Sequence, residues 1–355
     1  MSVKLSAERG CELAQVRAPV RAGGTAHRAA ASPRVVTLTP APSIDKVYFL
    51  DRVQAGQVNR AKGVATYLAG NGVNVARALH LAGNAVSAVL PVGPEGIAAI
   101  GCDDGIMQVA CGVEVGRPIR TNVILVDESG LTTNINALPA PLDPGQWDRL
   151  CQAAIGEVRR IGADWFVLGG ALPIDRSTGV AVDLRPLFRT MRSLGVSVCL
   201  DAPVDEAWSG WTDAGQPDLV KPNAAELALM AGIPVLSLRD AVEAAALVRA
   251  RGVETVLVSL GPDGILEVGG QGALWACGPH AQVVNTTGAG DAALAGYLSV
   301  SGRDGRGQGQ RYEALRRAVS WGALAVQQET TMLPHAIANA PGILIGLPEG
   351  DHRLS

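Results

Sequence analysis

The chain has 355 residues, 48% hydrophobic and 18% charged, enough for one large domain or two ordinary ones with an ample core. Its 30 basic and 33 acidic residues leave a net charge of −3, so no global basic field points to nucleic acid; no apolar run reaches the roughly 18–20 residues of a membrane span. Cys11, Cys102, Cys111, Cys151, Cys199 and Cys277 form no CxxC and no metal-like spacing with histidine, as expected of reduced thiols in a cytoplasmic protein.

Residues 1–33 are rich in Ala, Arg and Gly, with Arg9, Arg17, Arg21 and Arg28 and no period. They lack the apolar region of a secretory signal, and Glu8 and Glu12 oppose a transit peptide, so a disordered extension is expected. Order is expected from Arg34. Residues 35–38 read as a strand, followed by an extended loop that carries one acid, Asp45. Residues 47–50 and 64–68 read as two more strands. Gly70-Asn71-Gly72 then opens a helix, with Val75, Leu79 and Ala82 at helical spacing and Gly83 as its C-cap. Asn71 and Asn74 at that N-terminus form a pair suited to reading hydroxyls; for Asn74 alone, capping is the stronger reading.

Residues 85–90 read as a strand, and the Gly-rich stretch to Gly116 shows no period. Segments 122–126 and 131–136 flank Glu128-Ser129-Gly130 as a hairpin, with Arg120 just before it at the sheet edge. An arginine there either faces solvent or clamps a phosphate. From Asp143 helix and strand alternate: helix 144–161, strand 165–168, helix 178–194, strand 196–200 ending at Asp201, strand 218–220, helix 224–231, helix 239–251 and strand 255–259. Repeated βα units predict a parallel sheet covered by helices, with ligand loops gathered at the carboxyl ends of the strands.

The richest stretch is 282–298. An expected strand at 282–284 leads through Gly288-Ala289-Gly290 into a small-residue helix opening at Asp291. The two glycines let the backbone amides turn inward, and amides at a helix N-terminus hold phosphoryl oxygens. A carboxylate at that spot can take a proton from a hydroxyl attacking phosphorus; capping of the helix is its other reading. Neither a Walker A sequence nor a GxGxxG in a βαβ setting is present, so a nucleotide would be held another way.

Four motifs occur in order: Ala69-Gly70-Asn71-Gly72-Val73-Asn74-Val75-Ala76, then Leu219-Val220-Lys221-Pro222-Asn223-Ala224-Ala225-Glu226, then Val258-Ser259-Leu260-Gly261-Pro262-Asp263-Gly264, and finally 285–298. Together they resemble the PfkB (ribokinase-like) carbohydrate kinases from about residue 35 to about residue 340. Thr37 to Asp45 and the second and third motifs look like the phosphosugar branch, which includes 1-phosphofructokinase, tagatose-6-phosphate kinase and the minor 6-phosphofructokinase. The resemblance implies an α/β fold: a three-layer α/β/α domain over 34–345 with a mostly parallel central sheet, a small β-sheet lid from about 46–69 and 117–137, and a tail at 346–355. It implies a homodimer through the lid.

It also implies ATP and Mg²⁺. Asp291 is expected as the base, with the amides of Gly288, Ala289 and Gly290 as the anion hole. Asn223 and Glu226 are expected to orient water around Mg²⁺, and Lys221, Asn223, Ser259, Gly261 and Gly264 to border the nucleotide. Without the resemblance, Asn223 and Glu226 read as a helix N-cap with an acidic first turn. Asp45, Gly70, Asn71 and Asn74 are expected to read sugar hydroxyls, and Arg120 to bind the acceptor's phosphate, with Arg60 and Lys62 as weaker lid candidates. The expected reaction moves the γ-phosphoryl of ATP to a hexose phosphate, foremost fructose 1-phosphate; 6-phosphofructokinase and tagatose-6-phosphate kinase are the alternatives.

Three positions depart from the family pattern. Asn71 stands where many phosphosugar kinases have lysine, Gly169-Gly170-Ala171-Leu172-Pro173 lacks hydroxyls, and Asp201-Ala202-Pro203-Val204 lacks the usual Thr/Ser-Ser-Gly. These departures motivate a second expectation, a kinase of an unphosphorylated sugar or nucleoside, and a third, a non-catalytic sugar- or nucleotide-binding protein.

Overall fold

The computed structural model describes residues 32–354 except 102–103, 204–214, 280, 303–306, 331–332, 334–341 and 349–351. The expected N-terminal extension therefore lies outside the described residues, Ser32 and Pro33 apart. The first half of the chain forms β1 (Val35–Leu38), β2 (Ser43–Leu50), β3 (Gly63–Ala69), α1 (Asn71–Leu81), β4 (Val86–Val92), α2 (Pro94–Gly101), α3 (Asp104–Met107), β5 (Ala110–Glu114), β6 (Arg120–Asp127), β7 (Thr132–Ile135) and α4 (Pro144–Ile161). Then come β8 (Trp165–Gly169), α5 (Arg185–Ser193), β9 (Ser197–Asp201), β10 (Leu219–Val220), α6 (Ala224–Ala231), α7 (Leu238–Ala250) and β11 (Thr255–Ser259). The chain closes with β12 (Ile265–Gly269), β13 (Gly272–Cys277), α8 (Ala289–Leu298), α9 (Gln308–Ala325) and β14 (Leu344–Gly346).

Ten of the described strands form one sheet in the order β14-β13-β12-β11-β10-β9-β8-β1-β4-β5. From β5 to β11 every neighbouring pair is parallel, and β12, β13 and β14 add an antiparallel edge. Successive side chains of a strand point to opposite faces, and both faces here are covered by helices. Val35, Val167, Cys199, Leu219 and Leu257 pack into one cluster with Val75 and Leu79 of α1, Leu294 of α8 and Leu315 and Trp321 of α9. Phe166, one residue along from Val167, instead meets Phe188 of α5 edge-on at 6.4 Å. This is a mixed α/β architecture, with helices on both faces of a large, mostly parallel sheet.

A second sheet of four strands, β3-β2-β6-β7, has its own small core of Val47, Tyr67, Ala69, Ile124 and Val126. It is built from the two segments expected to form the lid, and β6 and β7 make the expected hairpin. Arg120 opens β6, which lies between β2 and β7, so its strand is internal and not at the sheet edge.

Four other readings of the sequence change in the structure. The helix expected at 178–194 is α5, nine residues beginning at Arg185 with Pro186 in its first turn. Before it, Asp175 Oδ1 accepts from the Ser177 amide at 2.7 Å, and this local turn competes with helix. Residues 282–284 are not a strand: the amides of Val284 and Asn285 both donate to the Val326 carbonyl, at 2.7 and 3.1 Å, and no ladder forms. The stretch without a period before Gly116 holds α2, α3 and the edge strand β5. Residues 352–354, assigned to the tail, return to 236–238, where Leu238 donates to the His352 carbonyl at 2.9 Å.

Candidate active site

The carboxyl ends of β1, β8, β9, β10 and β11 deliver Thr39, Gly169, Asp201, Lys221 and Ser259 to one edge of the sheet, beside the N-termini of α1 and α8. At α8, Gly288 is the N-cap with φ 80°, a backbone that favours glycine, and the helix starts at Ala289. The first amides of a helix have no intrahelical acceptor. Here the Ala289 amide reaches only the Thr286 carbonyl, at 3.4 Å. The preceding turn is held by Asn285, fully buried, whose Oδ1 accepts from the Thr287 amide at 2.9 Å while its Nδ2 donates to the Glu329 carbonyl at 3.1 Å.

Asp291 sits in the first turn of α8 and is buried. Its side chain caps nothing; Oδ2 accepts instead from Asn74 Nδ2 of α1 at 2.7 Å. Burial, followed by the charge of Asp201, pushes the Asp291 carboxyl up to about 7, against the hydrogen bond from Asn74 and the charge of Lys221. A carboxylate whose proton affinity lies near neutrality, next to open helix amides, has the properties a general base needs.

Lys221 belongs to the same cluster. Its Nζ lies 3.2 Å from Asp201 Oδ1, and a Cβ placed on Gly290 would come within 3.0 Å of that Nζ. Burial opposes the charge on Lys221 more than any other single influence, but Asp201, Asp291 and Glu226 together raise its pKa. Asp201 Oδ2 also accepts from Asn71 Nδ2 at 3.4 Å. Gly169 brings β8 so close that a Cβ there would lie 2.8 Å from the Gly72 amide, and Gly170 donates to the Asp201 carbonyl at 2.8 Å. The departure at Gly169 thus serves close packing of β8 on the start of α1. Ala202 and Pro203 follow Asp201, and Val204 lies outside the described residues.

On the four-stranded sheet, Asp45 is buried and accepts from Ser43 Oγ at 2.6 Å and from Asn122 Nδ2 at 3.0 Å. Burial raises its pKa, against those two bonds and the charges of Arg120 and Arg77. Arg120 Nη1 donates to the Ala137 carbonyl at 2.7 Å, while its Nε is buried with no acceptor. Lys62 pairs with Asp51 and, at 2.5 Å, with Glu128, and Arg60 is exposed, so neither is drawn toward Asp291.

Asn223 and Glu226 form a capping box on α6: Asn223 Oδ1 accepts from the Glu226 amide and Glu226 Oε2 from the Asn223 amide, both at 2.9 Å. The plainer reading of this pair is therefore realised in the structure. The bond from the Asn223 amide uses Oε2 of Glu226. Among the described residues no group of three or more His, Cys, Asp or Glu could hold a metal directly. A Mg²⁺ ion here fits only as a hydrated ion shared with phosphates, its usual mode. The Ser259 amide donates to the Pro222 carbonyl at 3.0 Å, joining the loops after β10 and β11. Gly261 starts a short 3₁₀ turn, and Gly264 packs on β13, where a Cβ would lie 2.1 Å from the Ala276 carbonyl.

The structure thus brings together Asp291, Gly288, Ala289, Gly290, Asn71, Asn74 and Lys221. It keeps Asn223, Glu226, Ser259, Gly261 and Gly264 in adjoining loops. Sequence reasoning did not single out Asp201, Arg77 or Asn122 as members of the site. Asp201 ends a strand in the same way as Lys221 and was visible in that position; nothing local marks the other two.

The pfkB family of carbohydrate kinases matches residues 39–337. The 1-phosphofructokinase of Escherichia coli is 30% identical over 275 residues, which is 75% of this chain and 84% of the relative. That of Vibrio cholerae is 30% identical over 311 residues, covering 83% of this chain and 90% of the relative. The solved phosphofructokinase-2 of Escherichia coli in complex with substrates and products superposes with a TM-score of 0.72 at 26% identity, over 85% of this chain and 96% of that one.

Proposed function

The chain belongs to the pfkB family of carbohydrate kinases, phosphotransferases with a hydroxyl acceptor and ATP as donor, and from that premise we propose that it is a 1-phosphofructokinase-like enzyme whose base is Asp291. The observation that carries the reading is the buried Asp291 carboxylate beside the open amides of α8, in a chain 30% identical to a 1-phosphofructokinase.

In this reading Asp291 takes the proton from the acceptor hydroxyl as its oxygen attacks the γ-phosphorus in line with the leaving β-γ bridge oxygen of ATP. The amides of 288–290 and Lys221 receive the charge on the phosphoryl oxygens, the positioning and compensation on which such transfers depend. Hydrated Mg²⁺, held through Glu226 and Asn223, would neutralise charge on the phosphates. Ser259, Gly261 and Gly264 line the nucleotide side. Asp45, Gly70 and Asn71 orient the sugar, and Arg120, with its unpartnered Nε, takes the phosphate already on it. Exposed Val64 and Ile135 support pairing of two chains through the four-stranded sheet, and the reduced-thiol pattern supports the cytoplasm. Among the described residues no helix is long and apolar enough to cross a membrane.

A second reading, an unphosphorylated sugar or nucleoside as acceptor, draws on the hydroxyl-free 169–171 stretch, whose Gly169 and Gly170 lie against Asn71. ADP release with MgATP against fructose 1-phosphate, fructose 6-phosphate, tagatose 6-phosphate, fructose and ribose separates them. Preference for fructose 1-phosphate is expected; turnover of fructose or ribose alone would overturn the proposal in favour of the second reading. Silence on all five would turn attention to a binding protein.

A further inference from the structure

Asn74 lies between two groups of opposite hydrogen-bonding character. Arg77 Nη1 donates to its Oδ1 at 3.1 Å, and its Nδ2 donates to Asp291 Oδ2 at 2.7 Å. Arg77 is buried at 3% exposure, one helical turn beyond Asn74 on α1, and its Nη2 donates to the Leu68 carbonyl of β3 at 2.8 Å. A guanidinium has donors only and an ionised carboxylate acceptors only. With Arg77 in place, the amide of Asn74 has one satisfied orientation: oxygen toward the arginine, nitrogen toward Asp291. Reversed, it would set its oxygen against the carboxylate and its NH₂ against the guanidinium.

We propose that Arg77 is a positioning residue for phosphoryl transfer: anchored on the Leu68 carbonyl, it fixes the orientation of Asn74 so that the amide holds Asp291 in place as the ionised base. The inference rests on the reading of Asp291 as base and adds a device to it. The relay runs from β3 of the four-stranded sheet through α1 to α8, so the backbone of the small sheet is tied to the reacting carboxylate in three bonds. The other charged groups facing Asp291 are Asp201 at the end of β9, Lys221 after β10 and Asp45 on β2. Of these, Arg77 itself acts on Asp45, whose proton affinity its charge lowers, so the double variant with Asn74→Ala is needed to separate that route from the one through the amide.

The test uses the full-length enzyme as wild type, Arg77→Met, Arg77→Lys, Asn74→Ala and the Arg77→Met/Asn74→Ala double variant. Two readouts are taken: kcat against pH on an acceptor that the wild type phosphorylates, and the carboxyl carbon titration of Asp291 in ¹³C-aspartate-labelled protein, assigned by its loss in Asp291→Asn. Arg77→Met is expected to lower kcat about tenfold, leave the KM for MgATP unchanged and raise the proton affinity of Asp291 by about tenfold, moving the acidic limb upward in pH. The double variant should titrate like Asn74→Ala alone, since the arginine acts through the asparagine. Arg77→Lys retains a buried charge, but its donors sit on a single nitrogen and cannot reproduce the planar fork that spans the Leu68 carbonyl and Asn74, so it should shift the limb in the same direction; it carries the test if Arg77→Met does not fold. An unmoved titration in either folded variant, or shifts that add in the double variant, would overturn the proposal. Turnover surviving in Asp291→Asn would instead remove the base assignment, an outcome distinct from any behaviour of Arg77.

Discussion

Asp201 and Lys221 form an ion pair, Oδ1 to Nζ 3.2 Å, with only 8% of each side chain exposed. Asp201 ends β9 and Lys221 follows β10, so the pair locks two neighbouring strand ends and partly neutralises a lysine next to the turn at 288–290. The same Asp201 is the largest charge raising the proton affinity of Asp291. Asp201→Asn therefore has two expected effects. The like charge disappears, so the Asp291 pKa falls and the acidic limb of the pH–rate profile moves downward. Lys221 is left as a buried cation short of a partner, at a cost of about 3–5 kcal/mol in denaturant unfolding. A limb that stays in place would show that Asp201 does not act on Asp291.

Asp291→Asn is expected to lose turnover by on the order of 10²–10⁴-fold while still binding nucleotide by calorimetry. It should also change stability with a definite sign. The folded-state pKa of Asp291 is about 7. An unfolded aspartate titrates near about 3.9, so the folded chain holds this proton more tightly than the unfolded one. The carboxyl costs no stability below the unfolded value, and its cost grows as pH rises through the folded value. The midpoint advantage of Asp291→Asn over wild type should thus be larger at about pH 8 than at about pH 5. An advantage that shrinks with pH would contradict the burial argument.

Arg120→Ala tests the acceptor. Loss of one charge-assisted contact of about 1.5–3 kcal/mol should raise the KM for a sugar phosphate by about 10–100-fold. Any turnover of an unphosphorylated sugar should keep its KM. An unchanged KM for the phosphorylated acceptor would remove Arg120 from the phosphate site.

Gly264→Ala separates packing from ligand contact. Gly264 has φ 91°, and its added Cβ would lie 2.1 Å from the Ala276 carbonyl and 2.9 Å from Cys277 Cα, both backbone atoms of β13. Backbone cannot move aside as a side-chain tip can, so the variant is expected to lose about 1–3 kcal/mol or more by denaturant titration, with or without nucleotide. A variant of wild-type stability with weakened ATP binding would make nucleotide contact, and not packing on β13, the reason for a glycine at this position. Gly261 also has a positive φ, 61°, but nothing lies near its missing Cβ, and Gly261→Ala should cost less.

Local chemistry made the central elements of this protein legible in its sequence. The spacing of Val75 and Leu79, the capping residues Asn223 and Glu226, and the turn at 288–290 before Asp291 each specify a local conformation, and the structure has α1, α6 and α8 where those residues put them. Four motifs in order also carried the family. The edge of the sheet was not legible: β12, β13 and β14 pair antiparallel on β11, β12 and β13 in turn, contacts that tertiary packing supplies and no local period announces. The same holds for residues 282–284, whose apolar pair suggests a strand, whereas the amides of Val284 and Asn285 converge on one carbonyl at the end of α9. Within the candidate site the sequence by itself determined which chemical groups are present, because a carboxylate, an amide and a cation are identities. Only the tertiary structure decided how they are arranged: Asn74 faces Asp291 across 217 positions of chain, Asn71 and Lys221 share Asp201, and Asn74 accepts from Arg77 while donating to the carboxylate. Hydrogen bonds act over about 3 Å and are indifferent to sequence distance, so the pairings follow from how the strand ends and the starts of α1 and α8 meet.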